Sequence, residues 1–193
     1  MGGIEALQRR MVTVKVRNSY GECIFIEKRN DRMEQETRNQ IVKKLIDTQT
    51  TISTMESCTS GLIASMITDT EGASAIYPGG YITYLNETKV LAGVDADVIR
   101  QYGVYSAECA EAMARTAQKN LNTAIAIGIT GTTGNVDPNN ADSVQGKAYY
   151  CIAAGDIAHG YEINADVTGM SRHEIKRLYA ERVFASLAEL IGV

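Results

Sequence analysis

Histidine is scarce in this sequence. Only His159 and His173 occur, they are far apart, and neither lies in a recognisable ligand or triad motif. The chemistry expected of the chain therefore does without histidine. Proline occupies 2 positions and no run of about 18 apolar residues occurs, so neither a collagen-like chain nor a membrane-spanning helix is expected. Arg9 and Arg10 near the amino terminus are not followed by an apolar stretch of the kind a secretory leader carries. Excess positive charge is also missing. The formal net charge is −4 with Lys and Arg scattered, which provides no footprint for a nucleic-acid backbone. The four cysteines, Cys23, Cys58, Cys109 and Cys151, form no C-x-x-C pair and have no histidine cluster nearby, so neither a zinc site nor a redox motif is indicated. The expectation is a cytoplasmic protein with reduced thiols, no metal, no nucleic-acid partner and no membrane.

What is present is an ordinary globular composition. Hydrophobic residues make up 45% and charged residues 22% of 193 residues, enough for one domain with a real core. Residues 1–34 read as an amino-terminal extension, with Met11 to Val16 and Cys23 to Ile26 forming a hairpin across Asn18-Ser19-Tyr20-Gly21. The charged stretch from Glu27 to Asn39 is expected to merge into a helix whose Ile41, Val42, Leu45 and Ile46 share one stripe. Thr50 to Met55 reads as a strand running into Glu56-Ser57-Cys58-Thr59-Ser60-Gly61, and a helix follows with Leu62, Ile63, Met66 and Ile67 on one face. The first N–H groups of such a helix point back at the turn and are suited to an anion.

Further along, Gly80 to Leu85 reads as a strand, Asn86 to Ala92 and Ala96 to Tyr102 as short helices, and Ser106 to Leu121 as a long helix capped by Ser106. Its small-residue stripe, Cys109, Ala110, Met113, Ala114 and Ala117, suits close packing within the chain or across a subunit boundary. Thr123 to Thr130 is a continuous apolar run, the mark of a strand buried on both faces. Asn135 to Val144 reads as a loop over a site or a flap. Lys147 to Ala153 and Tyr161 to Val167 read as paired strands, and Arg172 to Leu190 as a final helix. Strands alternating with helices indicate an α/β layered domain with a mixed sheet over residues 35–193.

Open α/β sheets bind ligands at the carboxyl ends of their strands, which makes three polar turns the places to search: Glu56 to Gly61, Asn86 to Lys89 and Thr130 to Gly134. Neither a dinucleotide G-x-G-x-x-G nor a P-loop spacing is present. Without a histidine, a serine nucleophile needs a desolvated lysine as its base, and Ser74 with Lys89 forms one such pair. Cys58 competes as a nucleophile at a helix start, against its plain role as a small buried residue. Glu56 is either a general base or an acceptor for backbone N–H groups of its turn. Arg172 is either a solvated residue or a bidentate donor to an anionic ligand.

Taken in order, Glu56-Ser57-Cys58-Thr59-Ser60-Gly61-Leu62-Ile63-Ala64, Gly72-Ala73-Ser74, Gly79-Gly80-Tyr81-Ile82-Thr83-Tyr84-Leu85-Asn86-Glu87-Thr88-Lys89, Leu91-Ala92-Gly93-Val94, Tyr102-Gly103-Val104-Tyr105-Ser106 and Ile129-Thr130-Gly131 resemble the CinA carboxy-terminal domain family. The resemblance covers roughly residues 35 to 193. It implies a three-layer α/β/α sandwich with a mixed sheet, and an amidohydrolase that converts nicotinamide mononucleotide to nicotinate mononucleotide and ammonia with no cofactor, working as a homo-oligomer. By position it implies Ser74 as nucleophile, Lys89 as its base, Tyr84 as a proton relay or oxyanion donor, and Thr130 beside the glycine turn as a further catalytic residue. Glu56, Ser57, Cys58, Thr59, Gly61, Asn86, Gly131 and Arg172 would contact the substrate, with Arg172 on the phosphate or the developing charge.

The sequence departs from the family pattern at several turns. Ser60 stands where the family has a second glycine, Thr133-Gly134-Asn135 where it has Ala-Gly-Pro, and Val144-Gln145-Gly146-Lys147 where it has Pro-Val-Gly-Thr. Gly169-Met170-Ser171-Arg172 replaces Gly-Asp-Arg with one insertion and no aspartate. A catalytically silent relative that binds a nucleotide or a partner is the alternative these departures motivate.

Overall fold

The computed structural model describes residues 11–17, 23–29, 35–134, 140 and 143–193. The turn at Asn18 to Gly21, and positions 135–139, 141 and 142 of the loop over the site, lie outside the described residues. Strands β1 (Met11–Arg17) and β2 (Cys23–Arg29) pair antiparallel from Met11↔Arg29 to Arg17↔Cys23. The strand thus takes in Glu27, which the sequence reading places in the charged approach to the first helix. That helix, α1, runs over Gln35–Asp47.

Next come β3 (Ile52–Glu56), α2 (Leu62–Thr68), a 3-10 turn (Ala73–Ala75), β4 (Gly80–Ile82), α3 (Asn86–Leu91) and α4 (Ala96–Tyr102). Then follow α5 (Ala107–Leu121), β5 (Ile125–Gly131), β6 (Lys147–Ala154), β7 (Ile157–Ala165) and α6 (Arg172–Ile191). The β4 strand is shorter than its apolar pattern suggests: three residues pair with β3 before the chain turns out toward α3.

The strand order is β2-β1-β7-β6-β5-β3-β4. β3 is parallel to both β4 and β5, whereas β5, β6, β7, β1 and β2 pair antiparallel in succession, so the sheet is mixed. β1 lies against β7 from Val12↔Ala165 to Arg17↔Gly160, which makes the amino-terminal hairpin an extension of the domain's own sheet.

Side-chain alternation along β5 builds the layers. Ile125, Ile127 and Ile129 pack into one core with α1, α2 and α6. Ala126 joins Met55, Cys109, Met113 and Ala117 on the opposite side under α5, and Ala110 and Ala114 of α5 meet Cys151 and Ala153 of β6. The three-layer α/β/α sandwich follows. It also decides between the two uses of the small-residue stripe, because α5 spends it on its own sheet. At Gly128 an added Cβ would run into the Ala110 carbonyl oxygen and the Ala114 nitrogen. Gly128→Ala must push helix and strand apart, at a cost of about 1–3 kcal/mol, seen as a lower thermal midpoint. Among the described residues no helix is long and apolar enough to cross a membrane.

This topology also creates the site. The chain leaves β3 through α2 on one face, and after β4 returns through α5 on the other face to reach β5. Connections diverging to opposite faces at β3 leave a crevice at the carboxyl ends of β3 and β5, where ligands bind in open α/β sheets.

Candidate functional site

Ser57 is the first residue beyond β3, and its N–H donates to the Ile129 carbonyl of β5 at 3.0 Å, which anchors it at the end of the parallel ladder. The chain then turns sharply, with Ser60 (φ 54°) and Gly61 (φ 89°) both in the left-handed region. Glu56 makes the turn possible. Its side chain is fully buried and accepts from Thr59 Oγ1 (2.6 Å), Gly61 N (2.9 Å), Ile63 N (3.2 Å) and Ala64 N (2.8 Å). The anion expected at the amino end of α2 is therefore the chain's own carboxylate.

Lys89, near the end of α3, is 1% exposed. Its Nζ donates to Ser57 Oγ at 3.1 Å and to the Thr83 carbonyl at 2.8 Å. Beside this pair opens a cavity of about 990 Å³ lined by Ser57 and Cys58 from the β3 turn and by Tyr84, Leu85, Asn86 and Glu87 from the approach to α3. Tyr105, the Gly131 to Gly134 turn, Asn140, Gln145, Met170, Arg172 and Ile175 complete it. Two hydrogen bonds join segments distant in sequence around this cavity: Asn86 Nδ2 to Asn140 Oδ1 at 3.1 Å, and Arg172 Nη2 to the Tyr84 hydroxyl at 2.9 Å. Arg172 stands at the first position of α6 because Ser171 caps that helix. The Ser171 hydroxyl accepts from Glu174 N, and its N–H donates back to the Glu174 carboxylate.

The structure does not bring Ser74 to Lys89. Ser74 is exposed in the 3-10 turn after α2, and neighbouring Ile76 accepts from Ile52 N, at the start of β3, at 2.8 Å. Ser57 follows the other end of that strand, and four strand steps span roughly 13 Å. The serine bonded to Lys89 is Ser57, which the resemblance gives only as a substrate contact.

Four further expected site residues also have internal roles. Glu56 and Thr59 build the turn rather than line the cavity, and Gly61 supplies its left-handed backbone. Thr130 is fully buried and donates to the Val104 carbonyl at 2.9 Å, tying β5 to the loop before α5. Tyr84, Asn86, Gly131 and Arg172 do line the cavity, as do Ser57 and Cys58.

Burial, reinforced by the nearby Glu56 charge, pushes the Cys58 thiol up to about 12 despite Lys89 and Lys176. At neutral pH it is a protonated thiol and a poor nucleophile. We expect Cys58 to resist iodoacetamide at pH 7.5 in the native protein, with mass spectrometry showing the adduct only after denaturation. Rapid native alkylation would contradict the burial argument.

Sequence reasoning missed Tyr105, Thr132, Asn140 and Gln145 as individual lining residues. Thr132 sits in a turn already singled out, and its Oγ1 is buried with no hydrogen-bond partner among the described residues. Asn140 and Gln145 belong to the loop read as covering a site. Among the described residues no group of three or more His, Cys, Asp or Glu side chains could hold a metal ion.

The family model described as CinA C-terminal domain matches residues 34–191. A CinA-like protein of Geotalea daltonii is 38% identical over 141 residues, covering 72% of this chain and 32% of the relative. A CinA-like protein of Syntrophomonas wolfei is 41% identical over 121 residues, covering 62% of this chain and 29% of the relative. The chain thus spans about a third of the length of these curated relatives. The Protein MG115 homolog of Mycoplasma pneumoniae is 29% identical over 153 residues, covering 79% of this chain and 95% of the relative. Among solved structures, the competence/damage inducible protein CihA from Agrobacterium tumefaciens superposes with a TM-score of 0.73 at 26% identity, covering 81% of this chain and 94% of its own.

Proposed function

This chain belongs to the CinA C-terminal domain family, and we propose that it is an amidohydrolase that deamidates nicotinamide mononucleotide to nicotinate mononucleotide and ammonia. The observation that carries the reading is the buried Lys89 amine 3.1 Å from the Ser57 hydroxyl at the wall of the cavity. The distance is within the reach a general base needs for the proton it removes.

In this mechanism the neutral Lys89 amine accepts the Ser57 proton as Oγ attacks the carboxamide carbon. The tetrahedral intermediate collapses with breaking of the C–N bond, the nitrogen takes the proton from Lys89, and ammonia leaves. Water, deprotonated by Lys89, then attacks the Ser57 ester; the intermediate releases the acid, and the Ser57 oxygen recovers its proton. The substrate's phosphate would sit at Arg172. The Thr132 hydroxyl, which has no partner among the described residues, supports a polar ligand in the same space, since a buried hydroxyl ordinarily finds a partner in protein, water or ligand. The volume also fits, because small-molecule sites typically occupy about 300–1,000 Å³. The reading takes the protein as a cytoplasmic homo-oligomer that works without a cofactor.

The direct test is incubation with nicotinamide mononucleotide, with ammonia and nicotinate mononucleotide measured in parallel. Equimolar release of the two is expected. Calorimetric binding of the mononucleotide with no ammonia would instead make the protein a catalytically silent nucleotide-binding relative.

A further inference from the structure

Arg172 is the single cationic side chain among the described residues lining the cavity, and two features of the surrounding chain bear on its guanidinium. Tyr84, between β4 and α3, accepts from Nη2 at 2.9 Å across 88 residues of sequence. At Gly134, beyond β5, an added Cβ would stand 2.6 Å from Nη1, so this side of the guanidinium lies against bare backbone. Gly134 does not occupy the left-handed region, so alanine there would cost space without backbone strain. The arginine is therefore held between a hydroxyl and a glycine, each supplied by a different segment. Holding it in one arrangement prepays the rotamer entropy an arginine otherwise loses on meeting an anion, and it leaves other guanidinium donors for a planar, bidentate contact.

We infer that Tyr84 and Gly134 are positioning residues that hold Arg172 as the receptor for a phosphomonoester, making the site selective for a nucleotide over the corresponding nucleoside. The inference rests on the amidohydrolase reading for its substrate. It gives Tyr84 a role other than proton relay. The hydroxyl that a relay would need is engaged by Arg172, on a side chain 53% exposed to solvent.

The test compares nicotinamide mononucleotide with nicotinamide riboside on the full chain and on Tyr84→Phe, Gly134→Ala and Arg172→Ala, by steady-state kinetics and by calorimetric binding. The unaltered protein should favour the mononucleotide, and Arg172→Ala should erase that preference. Tyr84→Phe and Gly134→Ala should each raise KM for the mononucleotide about three- to tenfold, with kcat within about twofold and the riboside unaffected. Neither should add to the loss in an Arg172→Ala background, because both act through the same group.

A fall in kcat on both substrates with KM unchanged in Tyr84→Phe would overturn the proposal, since the hydroxyl would then act on the reacting atoms. Equal treatment of mononucleotide and riboside by the unaltered protein would overturn it as well while leaving hydrolysis intact. If neither substrate is turned over, the amidohydrolase reading fails. The calorimetric comparison then decides the role of Arg172 on its own: a preference for the mononucleotide that the variants abolish sustains it, and equal binding or none refutes it.

Discussion

Ser57→Ala is expected to lower ammonia release from nicotinamide mononucleotide by at least about a thousandfold, and Lys89→Met by a similar factor, because removing either member of a nucleophile and base pair disables both. Ser74→Ala is expected to stay within about twofold of the unaltered protein. The contrast follows from position: Ser57 and Ser74 lie toward opposite ends of β3, and the Lys89 amine reaches the former at 3.1 Å. Ser57→Ala should leave the fold intact, since the Ser57 N–H to Ile129 bond that ends the ladder is a backbone bond and Lys89 keeps its contact with the Thr83 carbonyl. Circular dichroism and the thermal midpoint check that point. An active Ser57→Ala beside an inactive Ser74→Ala would return the nucleophile to the 3-10 turn and remove the mechanism proposed above.

Glu56→Ala is expected to destabilise the protein by about 4 kcal/mol, in the range for breaking a buried, fully hydrogen-bonded charged group. One side chain serves three backbone N–H groups and the Thr59 hydroxyl. Alanine leaves all four without it at the start of a helix facing the core. At about 2–4 °C per kcal/mol for a chain of this size, the thermal midpoint should drop by roughly 10 °C. Glu56→Gln should recover only part of the loss, because its amide presents one acceptor oxygen and one donor nitrogen to four donors. A substrate-binding role, the reading the resemblance offers, predicts a raised KM at an unchanged midpoint. Thermal melts of the two variants beside their kinetics separate the two roles.

Much of the fold was legible because periodicity and caps are local. The apolar run ending at Thr130 marked β5 as a doubly buried strand, and its alternation of isoleucine with alanine and glycine accounts for a thick helix layer on one face and a close α5 on the other. Ser106 announced α5 and accepts from Cys109 N at 3.1 Å. The site was legible only as three turns. The sequence reading left Glu56 between a base and an anchor for the turn, and four bonds to its carboxylate decide for the anchor. It also left α5's small residues between an internal and an intersubunit use, which the approach of α5 to Gly128 settles.

The order of elements, the mixed sheet and the family were determined by the sequence itself, because each depends on a pattern over a few neighbouring positions. Which serine meets the lysine was decided only by tertiary structure. Lys89 lies 15 residues after Ser74 and 32 after Ser57, yet the parallel crossover carries Ser74 back toward the start of β3 and returns the chain to the carboxyl end, where Ser57 and Lys89 converge. Separation along a chain does not report proximity once a strand and its crossover reverse direction, so that pairing is a property of the sheet's topology.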